Sequence, residues 1–182
     1  MKRVYCIVGT RPEAIKMAPV ILKLKEYDAV FSVNVIATAQ HREMLDSVLD
    51  IFRVVPDADL DLMTNNQSLI QVIARVLGRV GEICSSERPD VVLAQGDTAT
   101  VMAAAMACFL QHIPFGHVEA GLRTGNFQLP FPEEYHRRVA ALAAHYHFAP
   151  TENARQNLLR EGVEESSIHV TGNTVVDALY YV

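Results

Sequence analysis

The chain has 182 residues, 50% apolar and 20% charged, with a net charge of −5 at neutral pH. That length fills one ordinary domain with a proper core, and the composition excludes a disordered chain. The acidic balance gives no reason to expect nucleic acid or an anionic membrane as partner.

Residues 3–8 form a β-branched apolar run that ends at Gly9, which predicts a buried first strand. The run is too short for a signal peptide. Thr10-Arg11-Pro12-Glu13 then turns into a helix, with Ala14, Ile15, Ala18, Ile21 and Leu22 at helical spacing. Where a strand runs at once into a helix start, backbone N–H groups can hold a phosphate, and Arg11 and Lys16 add two cations. An ordinary βα turn with a solvated Lys16 is the alternative. The dinucleotide fingerprint Gly-x-Gly-x-x-Gly occurs nowhere in the chain.

Residues 31–37 read as a second strand. Its exit carries Gln40, His41 and Arg42, and a short helix continues through Phe52. Residues 56–61 form an acidic loop without EF-hand spacing. Asn65-Asn66-Gln67-Ser68 caps a long amphipathic helix whose apolar residues are Leu69, Ile70, Ile73, Val76, Leu77, Val80 and Ile83. A third strand leads into Gln95-Gly96-Asp97-Thr98, and Thr98 caps an alanine-rich helix ending near Leu110. That helix is well short of the ~20 residues needed to span a bilayer.

A fourth strand over 113–118 delivers Glu119. Gly125, Asn126, Pro130 and Pro132 mark an irregular loop, and Glu133 opens a helix. A fifth strand over 145–148, a helix from Thr151, a short sixth strand over 168–170 and a last helical turn or two after Gly172-Asn173-Thr174 complete the order. Strands alternating with helices predict an α/β fold, a doubly wound parallel sheet of Rossmann-like type. Cys6, Cys84 and Cys108 lie far apart without Cys-x-x-Cys, and read as reduced, packed thiols of a soluble cytoplasmic protein.

Three carboxylates stand out. Asp97 and Glu119 each follow an apolar run, so parallel strands would bring both to the sheet edge where open α/β folds bind ligands. Glu133 begins a helix near that edge. The plainer alternative makes Asp97 a turn residue and puts Glu133 with Arg137, and Glu134 with Arg138, in surface pairs one helical turn apart. Glu119 is harder to dismiss, because a carboxylate ending an apolar strand needs a partner, for which Arg123 is the candidate. His145 and His147 alternate onto one strand face without a third ligand, so no metal is expected.

The motifs GTRPEAIKMAPV, TAQHREMLD, QGDT, HVEAGLRTG, PFPEE and VTGNTVVDAL occur in this order over nearly the whole chain. Together they closely resemble the non-hydrolysing bacterial UDP-N-acetylglucosamine 2-epimerases. The resemblance implies one half of a two-domain GT-B-type architecture: residues 1–182 match the N-terminal Rossmann-like domain, and the C-terminal nucleotide-binding domain has no counterpart in this sequence. It further implies interconversion of UDP-GlcNAc and UDP-ManNAc by elimination and re-addition of UDP, to supply cell-surface polysaccharide precursors. No cofactor is implied, the parent is expected to be a homodimer, and the isolated domain is expected to be inactive. Carried over by motif, Asp97, Glu119 and Glu133 are the catalytic acids. Arg11, Lys16 and Arg137 bind substrate, and Gln40 and His41 belong to a regulatory loop.

Two positions flanking the matched catalytic residues depart from the family pattern. Gln95 stands where a histidine is usual before Gly-Asp-Thr, and His136 stands where an asparagine is usual after the paired glutamates. Two other function classes remain open on sequence: a GT-B-type glycosyltransferase half, and a nucleotide-sugar-binding module without turnover.

Overall fold

A computed structural model of the chain describes residues 1–38, 42–62 and 67–181. The strands are β1 Lys2–Val8, β2 Phe31–Ala37, β3 Ala58–Asp59, β4 Val91–Gln95, β5 Phe115–Val118, β6 Tyr146–Ala149 and β7 Ile168–Val170. All pair in parallel, in the order β3-β2-β1-β4-β5-β6-β7. The helices are α1 Arg11–Lys25, α2 Arg42–Ile51, α3 Leu69–Glu87, α4 Ala99–Leu110, α5 Glu133–Ala143, α6 Glu152–Arg160 and α7 Val175–Tyr181. This is the doubly wound, Rossmann-like arrangement that the alternation of elements predicts.

The period of two along β1 divides the core. Val4, Cys6 and Val8 pack with Met17 and Ile21 of α1 and Leu45 and Leu49 of α2. Tyr5 and Ile7 point to the other face, against Val72, Val76 and Val80 of α3 and the alanines of α4. Helix α4 buries nine of its twelve residues, and its small side chains let it fit between the sheet and its neighbours α3 and α5. That close approach brings Cys84 and Cys108, distant in sequence, to an Sγ–Sγ separation of 3.9 Å, while all three cysteines remain free and buried. No helix among the described residues is long and apolar enough to cross a membrane.

Helix starts follow the sequence closely. Thr10, Ser68, Thr98 and Thr151 each cap a helix through the side chain, and the α1 and α3 caps are reciprocal boxes with Glu13 and Gln71. Elsewhere the structure differs from expectation. The acidic loop contains β3, an edge strand held because Asp57 pairs with Val35 through both backbone and carboxylate, and because the Leu60 N–H reaches the Ala37 carbonyl. The buried ridge of α3 is Val72, Val76, Val80 and Cys84, and Leu69 and Ile70 face solvent. His145 precedes β6 and is exposed, whereas His147 is buried and donates from Nε2 to the Ala141 carbonyl at 3.0 Å. A single 3-10 turn at Glu165–Ser167 leads into β7.

Candidate active site

Strand order reverses between β1 and β4, so the chain leaves these neighbours toward opposite faces and opens a crevice at their carboxyl ends. The first βα turn on that edge is filled from within. Glu13 Oε2 accepts the Gly9 N–H at 2.5 Å and the Thr10 N–H at 2.9 Å, and Oε1 accepts the Thr98 hydroxyl at 2.6 Å. Burial raises the Glu13 pKa, and these donors oppose the shift. The expectation that backbone N–H groups here are open to a phosphate is therefore corrected for Gly9 and Thr10. Gly9 itself has no room for a side chain, since a Cβ would lie 2.7 Å and 2.9 Å from the Thr38 and Thr100 hydroxyls.

Lys16, one turn into α1, is only partly exposed and is ion-paired. Its ammonium lies 2.6 Å and 2.9 Å from the two carboxylate oxygens of Glu119. Arg11 stays exposed and edges a largely apolar groove of about 350 Å³, shared with Ile15, Val48, Phe52 and Leu179.

Glu119 leaves β5 with φ of 65°, a left-handed conformation uncommon outside glycine, held by the contacts of its side chain. Besides Lys16, Gln95 donates its amide to Oε2 in a short contact, and Asn173 Nδ2 donates to Oε1 at 2.8 Å. The partner suggested by sequence, Arg123, instead makes a two-pronged pair with Glu161 at 2.7 and 2.8 Å. Asn173 lies in the VTGNTVVDAL motif, but by its residue type it signals only the opening of the last helix. Its Oδ1 caps the Val175 N–H at 3.0 Å, so one side chain both starts α7 and reaches the carboxylate.

Asp97 meets Arg137 Nη2 at 2.5 Å, and its backbone carbonyl accepts His136 Nδ1 at 3.1 Å. Burial raises the Asp97 pKa; Arg137 and Lys16 pull it down, while the charges of Glu119 and Glu133 push it up. Of the two departures from the family pattern, Gln95 thus touches the Glu119 carboxylate and His136 the Asp97 backbone carbonyl. Beneath it, fully buried His117 donates from Nε2 to the Gly96 carbonyl at 2.7 Å, tying the β5 exit to the β4 exit. Burial pushes its pKa down to about 4.

The two adjacent glutamates of α5 part company. Glu133 is half-buried and forms no hydrogen bond or ion pair among the described residues, although its charge acts on Asp97 and His136. The surface pair with Arg137 does not form, because Arg137 turns to Asp97. Glu134, by contrast, is 0% exposed and accepts Arg138 Nε at 3.0 Å and the N–H groups of Thr124 and Gly125 at 3.1 and 3.3 Å. Gln40 and His41 lie outside the described residues.

At one edge, then, stand Asp97, Glu119, Glu133, Lys16 and Arg137: carboxylates interleaved with cations at the switch point of a parallel sheet. In open, Rossmann-like α/β sheets this switch-point edge is where ligands bind. The sequence profile of the UDP-N-acetylglucosamine 2-epimerase family matches residues 23–182. The chain belongs to that family. It is 53% identical over 180 residues to a UDP-N-acetylglucosamine 2-epimerase of Yersinia pestis, covering 99% of this chain and 48% of the relative. Among solved structures it is similar to the Neisseria meningitidis UDP-GlcNAc 2-epimerase bound to UDP-GlcNAc, with TM-score 0.95 and 48% identity over 98% of this chain and 48% of that one. It is also similar to the Methanocaldococcus jannaschii UDP-GlcNAc 2-epimerase in complex with UDP-GlcNAc and UDP, with TM-score 0.91 and 36% identity over 98% of this chain and 48% of that one. The chain thus spans about half the length of the relatives it matches. A lipopolysaccharide outer core galactosyltransferase, at TM-score 0.65 and 14% identity, shares the fold alone.

Proposed function

We propose that this chain is the N-terminal domain of a two-domain isomerase that interconverts UDP-GlcNAc and UDP-ManNAc and supplies precursors for cell-surface polysaccharides. In this reading the parent is a cytoplasmic homodimer, and the substrate lies between the sheet edge described above and the second domain. The observation that carries it is the meeting of Asp97, Glu119 and Glu133 with Lys16 and Arg137 at the switch-point edge of a chain belonging to the epimerase family.

The chemistry has a difficulty that this arrangement answers. The C–H bond at the acetamido-bearing carbon is not acidified by a neighbouring carbonyl, so direct deprotonation is slow. Elimination provides a route: a base takes the C2 proton, the C1–O bond breaks, UDP leaves with the bonding pair, and a glycal forms. Re-addition of the same UDP with protonation from the opposite face gives the epimer, so atoms and charge balance.

The parts can be assigned. Glu119, caged by Lys16, Gln95 and Asn173, is a fixed anion that supports positive charge developing at C1. Asp97, raised by burial with two carboxylates nearby, is the group best suited to hold a proton. Glu133, whose side chain has no hydrogen-bond partner among the described residues, is free to take part in the transfer. Arg11 receives the departing diphosphate, and Lys16 and Arg137 balance the carboxylates.

The test is epimerisation by the two-domain parent in deuterium oxide, followed by NMR and mass spectrometry. Deuterium is expected on the acetamido-bearing carbon of the product. Epimer that retains the original hydrogen overturns the mechanism. This chain alone, without the facing wall of the cleft, is expected to leave UDP-GlcNAc unchanged.

A further inference from the structure

The paired glutamates at the start of α5 invite the reading that one acts and the other decorates the helix surface. Their burial says otherwise. Glu134 has no exposed area, and every polar neighbour described for it donates. Oε2 takes the Thr124 N–H, and Oε1 takes the Gly125 N–H and Arg138 Nε. Arg137 Nε faces Oε2 at 3.7 Å and is itself buried with no hydrogen bond, so the carboxylate holds it by charge rather than by a direct bond. The other end of the same guanidinium reaches Asp97 at 2.5 Å.

Arg137 is therefore suspended between two carboxylates, one buried and one in the site, with its side chain only 11% exposed. Through Thr124 and Gly125, Glu134 also fixes the start of the irregular loop that runs into α5 and Glu133. Arg138, in turn, is steadied by the Phe127 ring at 4.7 Å and by Glu161 at 3.8 Å. A charge so enclosed costs more than a surface pair returns, unless its donors are complete. Burial alone would raise the Glu134 pKa, but the Thr124 N–H, Arg138, the Gly125 N–H and Arg137 together hold it below the usual carboxylate range.

We infer that Glu134 is a positioning residue for the reaction, which anchors the 124–125 turn and aims Arg137 at Asp97. It touches neither substrate nor reacting atoms. The inference rests on the reading of Asp97 as a catalytic acid. Its physical core, that Glu134 sets the charge environment of Asp97, can be tested without substrate.

Glutamine is the informative replacement. It keeps the shape but offers one acceptor oxygen, and its amide N–H groups meet other donors, so either the turn or the arginines lose their partner. The Asp97 carboxyl is followed by ¹³C NMR titration in this chain, in wild type and Glu134→Gln. The groups bearing on Asp97 are Arg137, Lys16, Glu119 and Glu133, with His136 on its backbone carbonyl. Of these, Arg137 is the one in contact with Glu134.

With Arg137 no longer aimed, Asp97 is expected to titrate about one unit higher, the effect of losing one nearby opposite charge. In the two-domain parent, kcat is expected to fall about tenfold or more with KM nearly unchanged, as for a lost orientation. An Asp97 titration that stays put or moves down, with only thermal stability lost, would reduce Glu134 to a structural anchor and overturn the inference. If Glu134→Gln does not fold, Glu134→Asp keeps the charge at shorter reach. It is expected to move Asp97 in the same direction by less, and an unmoved Asp97 there is equally decisive. A parent that epimerises while Asp97 ignores Glu134 sinks this inference and leaves the proposed function standing. An Asp97 that responds in a parent without epimerase activity does the reverse.

Discussion

Acidification provides a quantitative test of how the two carboxylate-bearing strand exits are joined. His117 is wholly buried and donates from Nε2 to the Gly96 carbonyl, and burial, opposed by that hydrogen bond, pushes its pKa from the ordinary value near 6.5 down to about 4. The folded state therefore binds fewer protons than the unfolded chain between those two values. Its contribution to stability is complete above the unfolded pKa and is lost as the pH falls toward the folded one. Integrating the single-site linkage between about pH 7 and about pH 5 gives a loss of about 2 kcal/mol from this one residue. His136 and His147, also lowered by burial, add losses of the same sign. Glu13 and Asp97, both raised, act oppositely and lose stability as pH rises. The wild-type curve alone is thus a mixture. The comparison with His117→Gln, which retains a donor for Gly96 but cannot titrate, isolates the residue. Urea unfolding of both proteins at the two pH values is expected to show the wild type losing about 2 kcal/mol more than the variant, even though the variant starts lower. Parallel losses would mean that His117 is protonated in the fold, or is not sealed from water, and the account of the β4–β5 link would fail.

Further outcomes follow from the site and from the turns that hold it. In the two-domain parent, Asp97→Asn, Glu119→Gln and Glu133→Gln are each expected to lower kcat by about 10²-fold or more with smaller effects on KM, measured by steady-state kinetics. Gly121 has φ of 86°, and a Cβ there would collide with the Ala154 carbonyl. Gly121→Ala is therefore expected to cost about 3 kcal/mol in urea unfolding, and Gly125→Ala, at φ of 77° but in open space, about 1 kcal/mol. Equal costs at the two glycines would show that backbone conformation alone sets the penalty.

Much of this molecule is legible in its sequence, and the failures have physical causes. The strands of the central sheet are buried on both faces and so read as short apolar runs bounded by turns. The cap at Thr98 reads directly, because a hydroxyl before a helix has one evident use, and the starts capped by Thr10, Ser68 and Thr151 read to within a residue or a short polar cluster. Asp97 and Glu119 could be placed on one edge because parallel strands share a direction. What did not read was orientation around a helix axis. Glu133 and Glu134 differ by one position, and which of them turns inward depends on how α5 sits against α4 and on the loop before it. Here the inward face is polar, with Glu134 and His136 buried beside Ala140 and Ala141, so apolar periodicity gives no guide. The same limit hid Glu13, whose place in a capping box is visible in the motif but whose burial is not. Asn173 was missed because its partner lies 54 residues away, and β3 because two residues of strand carry no pattern. Arg123 was assigned to the nearer carboxylate in sequence and is held by Glu161 on α6's boundary instead.

The Glu13 carboxylate, lodged against the Gly9 and Thr10 N–H groups, has a consequence for how an anion is recruited. A helix end that offers bare amides attracts phosphate with fixed dipoles at contact distance, an attraction confined to the first turn. In this chain those two amides are already occupied by the Glu13 carboxylate, and the guanidinium of Arg11 beside them is exposed. Attraction to an exposed charge reaches farther into solvent but is screened over about 8 Å at physiological salt. Under the proposed function, capture of a diphosphate at this turn is accordingly expected to depend on dissolved electrolyte. Raising the salt concentration is expected to slow arrival and weaken retention there, while the partly buried Lys16–Glu119 pair, at 24% and 11% side-chain exposure, is screened less.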